Sequence, residues 1–241
     1  RAGNAEDVAG RAQFMKTKVD QLLVGSVQAI PGHEVKSGIV KRPVMSRLML
    51  RKDGFETDAQ ADLKHHGGLA KAVHHYPFEH YESWCELIGE QAVLSQPGAF
   101  GENISTTGLT EQSVAIGDRF RFGDALIEVS QGRQPCWKLN LRFGVPSMAK
   151  QVQKSGMTGW YYRVLEEGYC EAGQELELVE RISPDWTLHR LWKTLYVDVL
   201  NREELAGMAA LEHLPDGWRG YAERRLQTMQ VEDWSKRLTG K

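Results

Sequence analysis

Arg133-Gln134-Pro135-Cys136-Trp137-Lys138 sets one thiol between two cations. The segment before it, Ala125 to Gln131, alternates as a strand, and Pro135 ends that strand by removing a ladder donor and fixing φ. Cys136 then opens an element that reads as a helix start, with Cys136, Leu139, Leu141 and Phe143 apolar and Lys138 and Arg142 polar. A thiol there meets free backbone N–H groups and positive charge, and such a setting favours thiolate, the form that attacks electrophiles and ligates soft metals. The competing reading is a small buried hydrophobe, the more common fate of a single cysteine.

A second group of chemistry-bearing residues runs through His65-His66-Gly67-Gly68, Lys71, His74 and His75. Neighbours on a strand face opposite sides, so adjacent histidines converge poorly on a zinc ion. His66-Gly67-Gly68 with Lys71 reads better as an anion cradle, in which two glycines expose backbone N–H groups and a cation follows three residues on. It lacks the Gly-Lys-Ser/Thr ending of a P-loop, and no GxGxxG stretch marks a dinucleotide site. Arg219, Arg224 and Arg225 could read nucleic acid from a helix, but Asp216, Glu223, Glu232 and Asp233 surround them and cancel the field, which reads as a solvated face.

Composition narrows the choice of chemistry. Thirty Lys and Arg against 32 Asp and Glu give a net charge of −2, so nothing argues for nucleic acid or an anionic membrane, and anion binding has to be local. The three cysteines, Cys85, Cys136 and Cys170, include no CxxC pair, which excludes a disulfide framework, a four-cysteine zinc site and an all-cysteine iron–sulfur cluster. A reducing, cytoplasmic compartment is expected. No apolar run approaches the roughly 18 residues of a membrane span. Residues 1–14 are small, polar and aperiodic and read as an added tail ahead of Met15.

The elements that must position these groups are mostly strands. Leu22 to Ile30, Ser37 to Lys41 and Val44 to Arg51 read as the first three, and Asp53-Gly54 as a turn. Ala72 to Tyr76 is a short strand, followed by Pro77 in the first turn of a helix carrying Tyr81, Trp84, Cys85, Leu87 and Ile88. Gly98 to Thr107 is a glycine-flanked strand; Arg119 to Phe122 alternates cleanly and turns at Gly123-Asp124 into Ala125. Pro146 to Lys154 is a helix, while Trp160 to Leu165 and Glu175 to Val179 are strands. Many short strands with few helices between them indicate a barrel or sandwich. After residue 182 the pattern turns helical: Ser183-Pro184 caps a first helix, Asn201 and Glu204 are spaced as a capping box for a second, and Trp218 to Met229 carries a third. The expected organisation is a β-barrel domain over 15–182 and a helical domain over 183–241.

Seven motifs in register, Ser37-Gly38-Ile39-Val40-Lys41, Gly54 to Gln60, His66-Gly67-Gly68 with Lys71-Ala72, His75-Tyr76-Pro77, Gly101-Glu102-Asn103, Gly117-Asp118 and Gln131 to Cys136, resemble the MOSC-domain family. The resemblance covers about residues 20 to 182, and the tail resembles the three-helix C-terminal domain of its YiiM-like subgroup. It implies a mainly β fold with a barrel of the pyruvate-kinase type, a bound molybdenum cofactor (molybdopterin), and Cys136 as catalytic residue and metal ligand. Arg133 falls on the family's arginine three residues earlier. Lys41, His66, Gly67, Gly68, Lys71 and Asn103 fall on motif positions that line the pterin pocket. Thr57 and Gly132 depart from the family pattern, both in loops.

The activity the resemblance implies is reduction of N-hydroxylated compounds, such as N-hydroxylated base analogues, to amines. His66 and His75 are candidate proton donors because imidazole titrates near neutrality. With no fingerprint for a nicotinamide and no four-cysteine cluster, electrons are expected from a separate flavoprotein reductase. A rival reading is a non-redox module that binds the cofactor or carries sulfur as a Cys136 persulfide. A blander one is an adaptor docking through Trp186, Trp192 and Trp218.

Overall fold

The computed structural model describes residues 15–59 and 68–241; the expected tail over 1–14 lies outside them. Seven strands close a barrel: β1 (Lys16–Val24), β2 (Val73–Pro77), β3 (Ile104–Thr106), β4 (Arg119–Phe122), β5 (Ala125–Gly132), β6 (Trp160–Glu166) and β7 (Glu175–Glu180). Their order is β7-β4-β5-β6-β2-β3-β1, and β1 pairs back onto β7, so the sheet has no free edge within the ring. The mainly β barrel expected from the sequence is therefore present.

Period two decides which face is inside. In β4 the rings of Phe120 and Phe122 are fully buried, while Arg119 and Arg121 point outward, Arg119 to Glu128 (2.7 Å) and Glu180 (2.6 Å), Arg121 to Glu166 (2.7 Å). Gly123, at φ 56°, turns β4 into β5 with Ala125 opposite Phe122. The β2–β3 pair is parallel, His75 lying opposite Ile104, so the chain has to cross over between them. That crossover holds α1 (His80–Ile88) and a loop ending in Gly98 to Asn103.

The crossover has its own core. Tyr76, Tyr81, Trp84, Phe100, Leu139 and Phe143 pack together beneath α1, α2 (Lys138–Phe143) and α3 (Met148–Ser155). The larger core fills the barrel and continues without a seam into the C-terminal helices α4 (Leu188–Tyr196), α5 (Arg202–Ala209) and α6 (Asp216–Thr228), since Leu188, Leu191, Leu205, Met208 and Trp218 belong to the same cluster as Val19 and Ile127. A last short helix, α7 (Ser235–Thr239), follows.

Several expected boundaries move for physical reasons. The first strand runs from Lys16 to Val24 and is interrupted at Gly25, which lies so close to the Val40 carbonyl that a Cβ would stand 2.4 Å from its oxygen; Gln28–Ala29 is a separate short strand paired with Lys36–Ser37. The second and third expected strands shrink to Lys36–Ser37, Arg42–Pro43 and Leu48–Arg51. Pro77 ends β2 rather than starting a helix, and α1 begins at His80. Ser183-Pro184 is a turn: Thr187 is the cap of α4, its hydroxyl accepting from the Arg190 N–H at 3.1 Å, while the Ser183 hydroxyl bonds His213 Nε2 at 3.1 Å. Asn201 does cap α5, accepting from Glu203 and Glu204 N–H, but the Glu204 carboxylate turns away to Arg190 instead of completing a capping box.

Candidate functional site

The cysteine lies in a connection with no regular ladder of its own. β5 ends at Gly132, the Arg133 N–H donates to Gly159 O at 3.0 Å, and Cys136 follows with 9 % of its surface exposed. The expected helix start at Cys136 comes later: α2 begins at Lys138, is six residues long, and the Cys136 carbonyl accepts from the Leu139 N–H at 3.0 Å. So short a helix contributes little dipole, and the positive setting of the thiol comes from side chains.

Arg133 is one of these, since it and Cys136 both act on the Tyr161 hydroxyl. Its guanidinium is 6 % exposed; Nη2 donates to the Phe100 carbonyl at 3.3 Å and Nη1 has no hydrogen-bond partner among the described residues. His74, 4 % exposed, packs against Tyr161 with ring centroids 5.0 Å apart and planes tilted by 35°, and its Nε2 is likewise without a partner. Burial pushes the His74 imidazole well below the ordinary histidine range, and the Arg133 cation pushes it further. Burial raises the Tyr161 hydroxyl; Arg133 opposes that shift and Cys136 adds to it. Two nitrogens, a phenol and a thiol thus share one region shielded from water.

The strand alternation that separates His74 from His75 also settles the second histidine. His75 faces the barrel interior, with Nδ1 2.9 Å from Tyr162 Oη and Nε2 2.8 Å from Thr106 Oγ1, and burial lowers its pKa to about 3. Both ring nitrogens are committed and the ring stays neutral, so the expectation of His75 as proton donor is corrected. Among the described residues no group of three His, Cys, Asp or Glu could hold a metal ion.

Lys41 and Asn103 meet, but over a carboxylate. Asp58, to which the sequence attaches no role, accepts from Lys41 Nζ (2.5 and 2.6 Å), from Asn103 Nδ2 (2.8 Å) and from the Gly25 N–H (2.8 Å). Asn103 also donates to Leu23 O and accepts from the His74 N–H at 3.0 Å, so its amide is fully used in holding β2 to β1. Burial lowers the Lys41 pKa, while Asp58 and Glu102 work against that shift. Both side chains of the ion pair are 5 % exposed, which makes Lys41 first a partner of Asp58 and only then a candidate anion binder.

His66 and Gly67 lie outside the described residues. Gly68 has φ 101° and precedes the turn Leu69–Lys71, whose Ala70 carbonyl accepts from Ser130 Oγ at 2.5 Å. That bond ties the expected cradle to the strand that leads to Cys136. Lys71 is half-buried in this turn.

Two further groups shape the site without a sequence signal. Glu111 takes the Thr158 (2.9 Å) and Gly159 (2.7 Å) N–H groups on one carboxylate oxygen and His80 Nε2 (2.7 Å) on the other, fixing the Gly159 carbonyl that holds Arg133. The C-terminal residues Arg237 and Leu238 bond the cysteine loop and α2. A buried cation and a neutral imidazole, each with a nitrogen lacking a partner, leave hydrogen-bonding capacity that a bound group would satisfy. With Cys136 as the soft donor, that set fits an anionic, oxygen-rich group bringing a thiophilic metal with its own ligands.

Residues 62–177 match the MOSC domain model, and residues 186–228 the model of the YiiM-like 3-alpha helix domain. The chain is 40 % identical to Protein YiiM of Escherichia coli over 94 % of its own length and all of that protein. It superposes on the crystal structure of YiiM from Escherichia coli with a TM-score of 0.78, covering 93 % of this chain and 98 % of that one. The uncharacterized protein YflK of Bacillus subtilis is 42 % identical over 83 % of this chain and 90 % of its own. A protein named "Reductase" from Gibberella moniliformis is 33 % identical over 82 % of this chain, which spans 35 % of that longer protein. Barrel, helical tail and near full-length identity agree: the chain belongs to the MOSC-domain family, in its YiiM-like branch.

Proposed function

We propose that this protein binds the molybdenum cofactor through Cys136 and reduces N-hydroxylated compounds, base analogues among them, to amines. The observation that carries the reading is the pair of buried nitrogens without partners, Arg133 Nη1 and His74 Nε2, beside a thiol. When bound, the cofactor supplies an oxygen acceptor that cycles through two electrons. The chain supplies the rest. Cys136 Sγ would ligate the metal and Arg133 Nη1 would donate to an anionic oxygen of the group, while Asn103 and Asp58 hold Lys41 and β2 in place around them. His74 remains neutral and so offers a ring nitrogen without a second positive charge next to Arg133. Tyr161, whose hydroxyl keeps its proton through the physiological range, is the proton-bearing group facing Arg133 and Cys136.

Electrons come from outside the chain. A longer relative, of which this chain spans 35 %, carries the name "Reductase". By this reading a flavoprotein reductase is the donor.

The test is purification from a host that makes the cofactor, followed by molybdenum and pterin assays and turnover of an N-hydroxylated purine with a chemical reductant. Near-stoichiometric metal and pterin with amine formation is expected. A metal-free protein carrying a persulfide on Cys136 would overturn the redox reading in favour of a sulfur carrier.

A further inference from the structure

Residues 133–136 belong to neither a strand nor a helix, and Pro135 has no N–H to offer a neighbour. Regular structure therefore does not fix the height of the Cys136 thiol. What does fix it is the end of the chain. Arg237 Nη1 donates to the Pro135 carbonyl at 2.5 Å, and the Arg237 carbonyl accepts from the Trp137 N–H at 2.8 Å, so one residue grips the backbone on both sides of the cysteine.

The grip is itself anchored. Arg237 Nη2 donates to Gln153 Oε1 on α3 at 2.5 Å, and the guanidinium lies 4.8 Å from the Trp234 ring. Asn140 Nδ2 donates to Leu238 O at 2.9 Å while Asn140 Oδ1 accepts from the Ala149 N–H at 2.8 Å, which locks α7 to α2 and α3 together. Gly240, with φ 78°, closes the turn against the Trp137 indole, where a Cβ would stand 2.8 Å from the ring. From the other side Gln134 Nε2 donates to Tyr196 Oη at 3.1 Å.

We propose that Arg237 is a positioning residue for Cys136 and that α7 is a strap holding the thiol at the depth its partner group requires. The proposal rests on the reading of Cys136 as the functional thiol. It concerns the free protein as well as the loaded one. Supporting shells of this kind decide whether a donor atom sits within a few tenths of an ångström of its working position.

The experiment measures alkylation of each cysteine by iodoacetamide at a single pH, read by peptide mass spectrometry, in full-length wild type, Arg237→Ala and Arg237→Lys. Cys85 and Cys170 are internal references, and thermal melting is recorded alongside. Local opening of the strap should speed Cys136 about tenfold in Arg237→Ala, with the two references unchanged. Arg237→Lys retains one donor for Pro135 O and should fall between; it also carries the test if the alanine variant fails to fold. An unchanged Cys136 rate would overturn the proposal, and so would equal acceleration at buried Cys170, which reports loosening of the whole barrel. Wild-type protein that never binds molybdenum, yet shows the selective change at Cys136, would sink the functional reading and leave the strap standing.

Discussion

Cys136 and Cys170 illustrate how one residue type serves opposite ends. Cys170 is fully buried, its Sγ 3.1 Å from the Phe122 carbonyl, and burial pushes its thiol up to about 12, so it behaves as core. Cys136→Ser should therefore abolish molybdenum retention, because a serine hydroxyl is neither deprotonated nor soft, whereas Cys170→Ser should retain it; metal content by mass spectrometry decides. The two buried cations part in the same way. Arg133 has no carboxylate partner among the described residues, so Arg133→Met should leave folding stability intact or raised. Loss of its charge-assisted contact should cost about 1.5–3 kcal/mol of cofactor affinity, or about tenfold to a hundredfold. Lys41→Met instead strands Asp58 in a 5 % exposed site and should cost about 3–5 kcal/mol of stability in urea melts. The histidines set the pH response. His74 and His75 stay neutral when folded and take up protons below about pH 6.5 when unfolded. Stability is then intact above that pH and declines as pH falls below about 6.5, His75 contributing about 1.4 kcal/mol per unit down to about pH 3 and His74 acting in the same direction. Identical urea midpoints at pH 7.5 and 5.5 would contradict this.

Between elements, β6 approaches β2 closely. Gly159, at φ 69°, leads into β6 where a Cβ would lie 2.4 Å from the His75 carbonyl and 3.1 Å from His74 Nε2. Gly159→Ala should push β6 off β2, cost on the order of 1–3 kcal/mol, and weaken cofactor retention as well, because the Gly159 carbonyl holds Arg133; a melting scan with metal analysis checks both. How far such features can be read in advance depends on how local they are. The β4–β5 hairpin was legible from Arg119-Phe120-Arg121-Phe122 and Gly123-Asp124 alone, because period two and a turn residue are neighbours in sequence. Cys136 and Arg133 were legible through motif order. Asp58 lay within the motif Gly54 to Gln60, but its role was not legible, since its partners Gly25, Lys41 and Asn103 stand 33, 17 and 45 residues away and no spacing rule joins them. His74 needed knowledge of which strand face meets the loop, and the alternation rule only says that it opposes His75. The strap α7 escaped because five residues carry no apolar stripe; it is held by backbone carbonyls and one arginine.

At the scale of the molecule, the helical tail is part of the barrel's core and of its site. Of the three arginines expected on a solvated face, Arg225 is instead fully buried, bonded to Glu232 at 2.7 Å and to Leu195 O at 2.9 Å, while Arg219 pairs with Asp216 and Arg224 with Glu232 at the surface. Trp186 and Trp218 are buried and Trp192 Nε1 donates to Gln153 O at 2.7 Å, so the faces an adaptor would need are turned inward. Trp218 also covers Gly132, the residue from which the cysteine loop departs, where a Cβ would lie 3.3 Å from the indole. Ending the chain after Ile182 would expose the barrel residues that Leu188, Leu191, Leu205 and Met208 now cover, and remove the strap from Pro135 and Trp137. Burying an aliphatic side chain is worth about 1.5–3 kcal/mol, so losing four such contacts, about 6–12 kcal/mol, is comparable with the whole margin of about 5–15 kcal/mol on which a domain stands. The truncated barrel should not survive as a cofactor-binding unit awaiting an electron donor. In the intact chain, tryptophan fluorescence and far-UV dichroism should report one coincident urea transition. Two separated transitions, or a stable barrel ending at Ile182 that still retains molybdenum, would show instead that the tail is an independent domain resting on the site.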